Sequence, residues 1–158
     1  MCTMNSFIKT LESEGKIKLV EPSDEVAKSY LDKSEKSLLS AKTLVKIQNY
    51  DDAVALTYYS MYYAALALLY KCGIKSENHA GTIILLNYVF GIDNKSIQNA
   101  KKERVDKQYY VDFKATAKDV QNGITTAEEF NAQIRNKLAK LKKTEIQKFY
   151  EKTKQKLK

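Results

Sequence analysis

Apolar residues recur every three or four positions along most of the chain, and the breaks between these runs outline a series of helices. Ser23 and Asp24 offer helix caps, with Glu25 in the first turn. Ala27, Tyr30, Leu31, Ser34, Leu38, Ala41 and Val45 then form one stripe on a helix running to about Ile47. Gln48 and Asn49 make a short turn. Asp51 and Asp52 open the next helix, where carboxylates complement the positive end of the dipole. Its residues Ala53 to Cys72 are almost all apolar or tyrosine, and Gly73 suits the left-handed cap that ends it. Residues 74 to 78 read as a loop. A short apolar helix follows from His79 to Phe90, stopped by Gly91.

A further helix is expected from about Asn94 toward Phe113, with the ladder Ile97, Ala100, Arg104, Gln108 and Val111. Gln121-Asn122-Gly123 reads as a loop, and Thr126 with Glu129 three residues on reads as a capping box. The last helix then carries Ala127, Phe130, Ile134, Leu138 and Leu141 in phase. Ile146 and Phe149 come out of phase, so a bend is expected near Thr144. Residues 1 to 22, closed by Pro22, read as a short helix or a strand-like arm. No repeat, low-complexity tract or strand-like alternation is visible. The pattern predicts an all-α fold, an up-and-down antiparallel bundle of about five helices. Its expected parts are an N-terminal arm (1–22), a bundle (23–143) and a basic C-terminal helical extension (144–158).

The helix apolar on every side is either a membrane span or the centre of a bundle. Spans keep tyrosine at their ends. Here Tyr58, Tyr59, Tyr62, Tyr63 and Tyr70 run through the segment, so the bundle centre is expected and no membrane contact. One proline and five glycines in 158 residues fit long helices in a single domain.

Charge changes the picture at one end. Lys137 to Lys158 holds nine lysines and two acids, a net +7, while residues 1 to 136 are nearly neutral. Such a tail attracts phosphate-bearing partners, or is simply a solvated lysine-rich helix. Arg104 and Arg135 are the only arginines among 27 basic residues. Arginine presents a rigid fork of donors suited to phosphate, so both stand out. The two cysteines have no metal-ligand spacing and no secretory pattern occupies Met1 to Ser6, so a cytoplasmic protein without metal is expected. Cys72 reads as a small buried hydrophobe.

Known catalytic motifs are missing. There is no phosphate-binding glycine loop, no dinucleotide turn, no histidine pair and no nucleophile elbow, and no cofactor is expected. His79, the sole histidine, is the default general base; the plain alternative is a histidine packed over a helix end, since no partner lies nearby in sequence. The segment Glu103 to Phe113 concentrates more chemistry. Arg104 can grip a phosphate at two points, and Tyr109 and Tyr110 can stack on a base or donate a hydroxyl. Lys107 and Asp112 complete the candidate set. The alternative is that Arg104 pairs with a carboxylate while the tyrosines pack. Residues five apart lie roughly 140° round a regular helix. Arg104 and Tyr109 therefore meet only if the helix ends between them, or across a dimer interface.

Asp51-Asp52-Ala53-Val54, Tyr58-Tyr59-Ser60-Met61-Tyr62-Tyr63-Ala64-Ala65, Ala67-Leu68-Leu69, Gly73-Ile74, Ser76 and His79 follow in an order and spacing similar to the HEPN family (higher eukaryotes and prokaryotes nucleotide-binding). Arg104, Tyr109 and Asp112 resemble the later part of that pattern, and the resemblance covers about residues 26 to 141. It implies a helical bundle, homodimers, and small proteins that work beside a minimal nucleotidyltransferase as toxin–antitoxin pairs. Many such proteins are metal-independent ribonucleases using an arginine and, four to six residues on, a histidine. Here Arg104 matches the arginine, but Tyr109 stands at the histidine position. A phenol with a pKa near 10 is not a neutral-pH base. Either His79 substitutes from another helix, or the protein binds without cutting. In some related pairs the nucleotidyltransferase modifies a tyrosine beside this motif, which makes Tyr109 and Tyr110 the expected acceptors. Three functions follow: a catalytically degenerate module binding RNA or a nucleotide, an active ribonuclease toxin, or a plain helical dimerisation domain.

Overall fold

The computed structural model describes residues 2–112 and 114–158. In chain order the elements are α1 (Cys2–Ser13), β1 (Ile17–Leu19), α2 (Asp24–Lys46), α3 (Tyr50–Lys71), β2 (Ile74–Ser76), α4 (His79–Phe90), α5 (Lys95–Tyr109), α6 (Ala117–Lys140) and α7 (Lys143–Leu157). The fold is all-α apart from one small ribbon. Among the described residues there are seven helices rather than five, because the two ends of the chain each supply one more.

Ser23 caps α2, its hydroxyl accepting from the Val26 amide at 3.2 Å. A three-residue connection, with Gln48 at φ 61°, turns the chain into α3 and makes the two helices antiparallel neighbours. By length and composition α3 could cross a membrane. Its side chains are instead enclosed by α2, α4, α5 and α6, which is why it is apolar all round. A polar stitch fixes the register of three helices inside this core. Ser34 on α2 donates to the Ser60 carbonyl at 2.7 Å, and Asn131 on α6 donates to the Ser60 hydroxyl at 2.7 Å.

Several expectations fail locally. The stretch expected as a loop after Gly73 contains β2, which pairs antiparallel with β1 in the register Ile17 to Ser76 and Leu19 to Ile74. Three-residue strands are too short to show alternation, and these two are more than fifty residues apart. The Gln121-Asn122-Gly123 loop does not exist either; all three residues lie inside α6. Thr116 caps that helix in a reciprocal box with Asp119, at 3.1 and 2.9 Å. Thr126 is mid-helix and donates to the Asn122 carbonyl, so it is no cap. The turn chemistry of Asn-Gly is overruled by continuous burial through Val120, Ile124 and Ala127. Gly123 faces Thr57 of α3, with ordinary contact distance left for a methyl group.

Helix α5 stops at Tyr109; Phe113, its expected end, lies outside the described residues, as does the Gln108 side chain. Val111 is past the helix end and 89% exposed, so it is no rung of the apolar ladder. Where the stripe slips, α6 ends and α7 folds back against α1, α4 and β1. The Phe149 ring lies 4.8 Å from that of Phe90, and Thr153 is buried.

Candidate functional site

Arg104 projects from α5 toward the tyrosines of α3. Its Nη1 donates to the Tyr59 hydroxyl at 2.6 Å, and its guanidinium carbon lies 5.3 Å from the ring centroids of both Tyr58 and Tyr59. Cation–π contact of this kind holds the charge without neutralising it. Among the described residues no carboxylate makes an ion pair with Arg104, and its buried Nε has no hydrogen-bond acceptor. A buried donor left unpaired costs about 1–3 kcal/mol. Arg135, the other arginine, is different. It pairs with Glu35 at 2.6 Å and ties α6 to α2. One arginine is therefore spent on structure and the other carries unmatched charge.

His79 is the first residue of α4, placed there by the cap at Asn78, whose side chain accepts from the Gly81 amide at 2.8 Å. Its ring stacks on Tyr62 at 4.0 Å and 5°. Its Nδ1 is 2.7 Å from the Tyr58 hydroxyl, so the positioning partner missing from its sequence neighbourhood comes from a different helix. Burial first, then the charges of Arg104 and Lys101, lower the imidazole pKa below its ordinary 6.5, which keeps the ring neutral at pH 7. Burial likewise raises the phenols of Tyr58 and Tyr62, so both stay protonated. The result is the Arg104 cation, with Lys101 near enough to act on the same imidazole, set beside the protonated phenols of Tyr58 and Tyr62 and one neutral imidazole. That arrangement attracts an anion and offers it several donors.

The remaining sequence candidates sit elsewhere. α5 is helical through Tyr109, so Arg104 and Tyr109 point to different faces within one chain. Tyr109 and Tyr110 are 68% and 57% exposed at the far end of α5, and Asp112 is exposed in the turn beyond. Lys107 donates to the Lys114 carbonyl at 3.2 Å, bracing that turn. Some tail lysines are also structural: Lys152 donates to the Val89 carbonyl at 2.7 Å, where a cation complements the end of α4. Cys72 is buried, and burial pushes its thiol up to about 12. Among the described residues no cluster of three or more His, Cys, Asp or Glu side chains is placed to hold a metal.

Periodicity places Tyr58, Tyr59 and Tyr62 at the bundle centre and assigns them no role at the site. Their number was the available signal, because buried phenols need hydrogen-bond partners and a purely structural core favours phenylalanine. What spacing does not reveal is that Arg104 and His79 are those partners.

A family model described as the HEPN domain matches residues 27–138. The match takes in almost all of α2 through α6, and with them His79 and Arg104. A protein of Methanocaldococcus jannaschii, MJ0605, named as a candidate toxin, is 29% identical over 115 residues, covering 68% of this chain and 85% of its own length. The UPF0332 protein glr0978 of Gloeobacter violaceus is 38% identical over 55 residues, covering 35% of this chain and 44% of its own length. The chain belongs to the HEPN domain family.

Proposed function

We propose that this chain is an RNA-binding HEPN module of a toxin–antitoxin-type system, in which Arg104 grips a backbone phosphate and a minimal nucleotidyltransferase is the partner. The observation that carries this reading is the guanidinium itself: half-buried, held by aromatic rings, ion-paired with no acid among the described residues, and with an orphaned Nε. A phosphate oxygen meeting the part of the guanidinium that is not buried would balance the charge. A free nucleotide offers the same chemistry, so competition between an oligonucleotide and a mononucleotide distinguishes the two. The toxin-type role draws on the HEPN fold and on the name of the archaeal relative. Tyr109 and Tyr110, both exposed residues, are the acceptors for nucleotidyl transfer by the partner in this reading, and the exposed Tyr109-Tyr110-Val111 stretch suits a contact between two copies. Binding of a labelled oligoribonucleotide tests the reading. The affinity is expected to fall steeply with salt and to drop in Arg104→Ala. Wild-type affinity in that variant rejects the site.

A second reading is favoured by the neutral, positioned His79. In the tautomer that donates from Nδ1 to Tyr58, Nε2 carries a lone pair. It would take the proton of a ribose 2′-hydroxyl as that oxygen bonds to phosphorus. The bond from phosphorus to the 5′-oxygen breaks, water protonates the leaving oxygen, and Arg104 stabilises the added negative charge. Expression in a host is then expected to arrest growth with RNA degradation, and His79→Gln to relieve it. Harmless expression with intact RNA leaves the non-cutting module.

A further inference from the structure

A groove of about 460 Å³ opens between α4 and α5, the helices that carry His79 and Arg104. Ala80, Ile83, Ile84 and Val105 make an apolar floor. Lys101 and Lys102 stand on its rim, with Gln98 and Asp106. Lys101 lies one helical turn from Arg104 on α5 and close enough to His79 for its charge to act on the imidazole, which brings the rim of the groove to the two site residues. Its size falls in the usual range for a small ligand, roughly 300–1,000 Å³. Two lysines against one aspartate leave the rim cationic. Ile84 is half-exposed although it extends the buried run of Ile83, Leu85 and Leu86. A flat apolar ring attached to an anion fits this combination, and Gln98 offers both a donor and an acceptor for the polar edge of such a ring. A nucleobase with its phosphate is a ligand of that description. Only an unpaired base can leave its stack to lie on such a floor.

We propose that the groove between α4 and α5 seats the nucleotide next to the phosphate held by Arg104, its base on the Ile83–Ile84–Val105 floor and its own phosphate at Lys101 and Lys102. The ligand is therefore single-stranded RNA of at least two nucleotides. This rests on the reading of Arg104 as a phosphate grip.

The test measures fluorescence anisotropy of a labelled octauridylate against wild type, Ile84→Glu, Lys101→Ala/Lys102→Ala and Arg104→Ala, with circular dichroism and solution mass recorded for each. Ile84→Glu is expected to weaken binding on the order of tenfold. The double lysine variant is expected to flatten the slope of log affinity against log salt by roughly 0.7, since the two lysines share one phosphate and each phosphate contact on a single strand contributes about that much. These lysines lie on the rim, so their result stands even where Ile84→Glu disturbs folding. Unchanged affinity and slope in both groove variants, with binding lost in Arg104→Ala, overturns the groove and keeps the phosphate grip. Unchanged binding in Arg104→Ala, or none in wild type, removes both. A change of solution mass in Ile84→Glu with RNA affinity per chain intact makes the groove a contact between copies and overturns the proposal.

Discussion

Arg104 and His79 gain their chemistry from the same tyrosines. Tyr59 accepts from the guanidinium, Tyr58 meets the imidazole, and Tyr62 lies flat against it. Burial and the nearby cations keep His79 neutral, which has a thermodynamic consequence. Its pKa is lower in the folded state than the ordinary 6.5 of an unfolded chain. Below pH 6.5 the unfolded chain therefore binds more protons, and stability falls with pH until the folded pKa is passed. Thermal midpoints measured between pH 7.5 and 5 are expected to decline through this window in wild type and to decline less in His79→Gln. Equal slopes would show that His79 is not the group responsible. Arg104 was legible in the sequence because arginine is rare in this chain and marked out by the family resemblance. The Tyr58–His79 contact was not, since 21 residues and a helix turn separate the pair and no local pattern encodes it.

Among the elements, α6 best separates local signal from tertiary control. Asn122-Gly123 and the Thr126–Glu129 spacing suggest a break and a restart, yet the helix runs unbroken from Ala117 to Lys140. Packing against α3 decides, as propensity is a weak prior once one face is buried. Two substitutions check this. Thr116→Ala removes the true cap and is expected to cost about 1 kcal/mol, whereas Thr126→Ala costs much less. Gly123→Ala places a methyl 3.6 Å from Thr57, an ordinary contact. It is expected to stabilise by about 0.5–1 kcal/mol, the usual penalty of glycine inside a helix. Urea denaturation reads all three. Destabilisation by Gly123→Ala would mean that the backbone there is not helical. By contrast α2, α3 and α4 were legible almost to the residue. Each carries a cap or stop that agrees with its apolar run: Ser23, Gly73 and Gly91.

At the scale of the molecule, the chain ends close a second layer on the bundle. α1 and α7 pack on each other, on β1 and on α4, and their lysine-rich or mixed sequences conceal this. Phe149 against Phe90, and Lys152 on the last turn of α4, make α7 part of the fold as well as a cationic surface. Phe149→Ala is expected to cost about 2 kcal/mol, a drop in Tm of roughly 4–8 °C. A freely solvated tail would leave Tm unchanged. The charge asymmetry was visible in composition; its structural use was not, because docking depends on contacts over sixty residues away in sequence.

With only two arginines in the chain, the most direct test of the account is a nitrogen–proton NMR titration of their side-chain Nε groups with a short single-stranded oligoribonucleotide, assigned through Arg135→Lys. The Arg104 Nε resonance is expected to shift saturably, in step with the bound fraction, while the Arg135 resonance stays with its Glu35 partner. An Arg104 signal that does not move as RNA saturates the protein would contradict it.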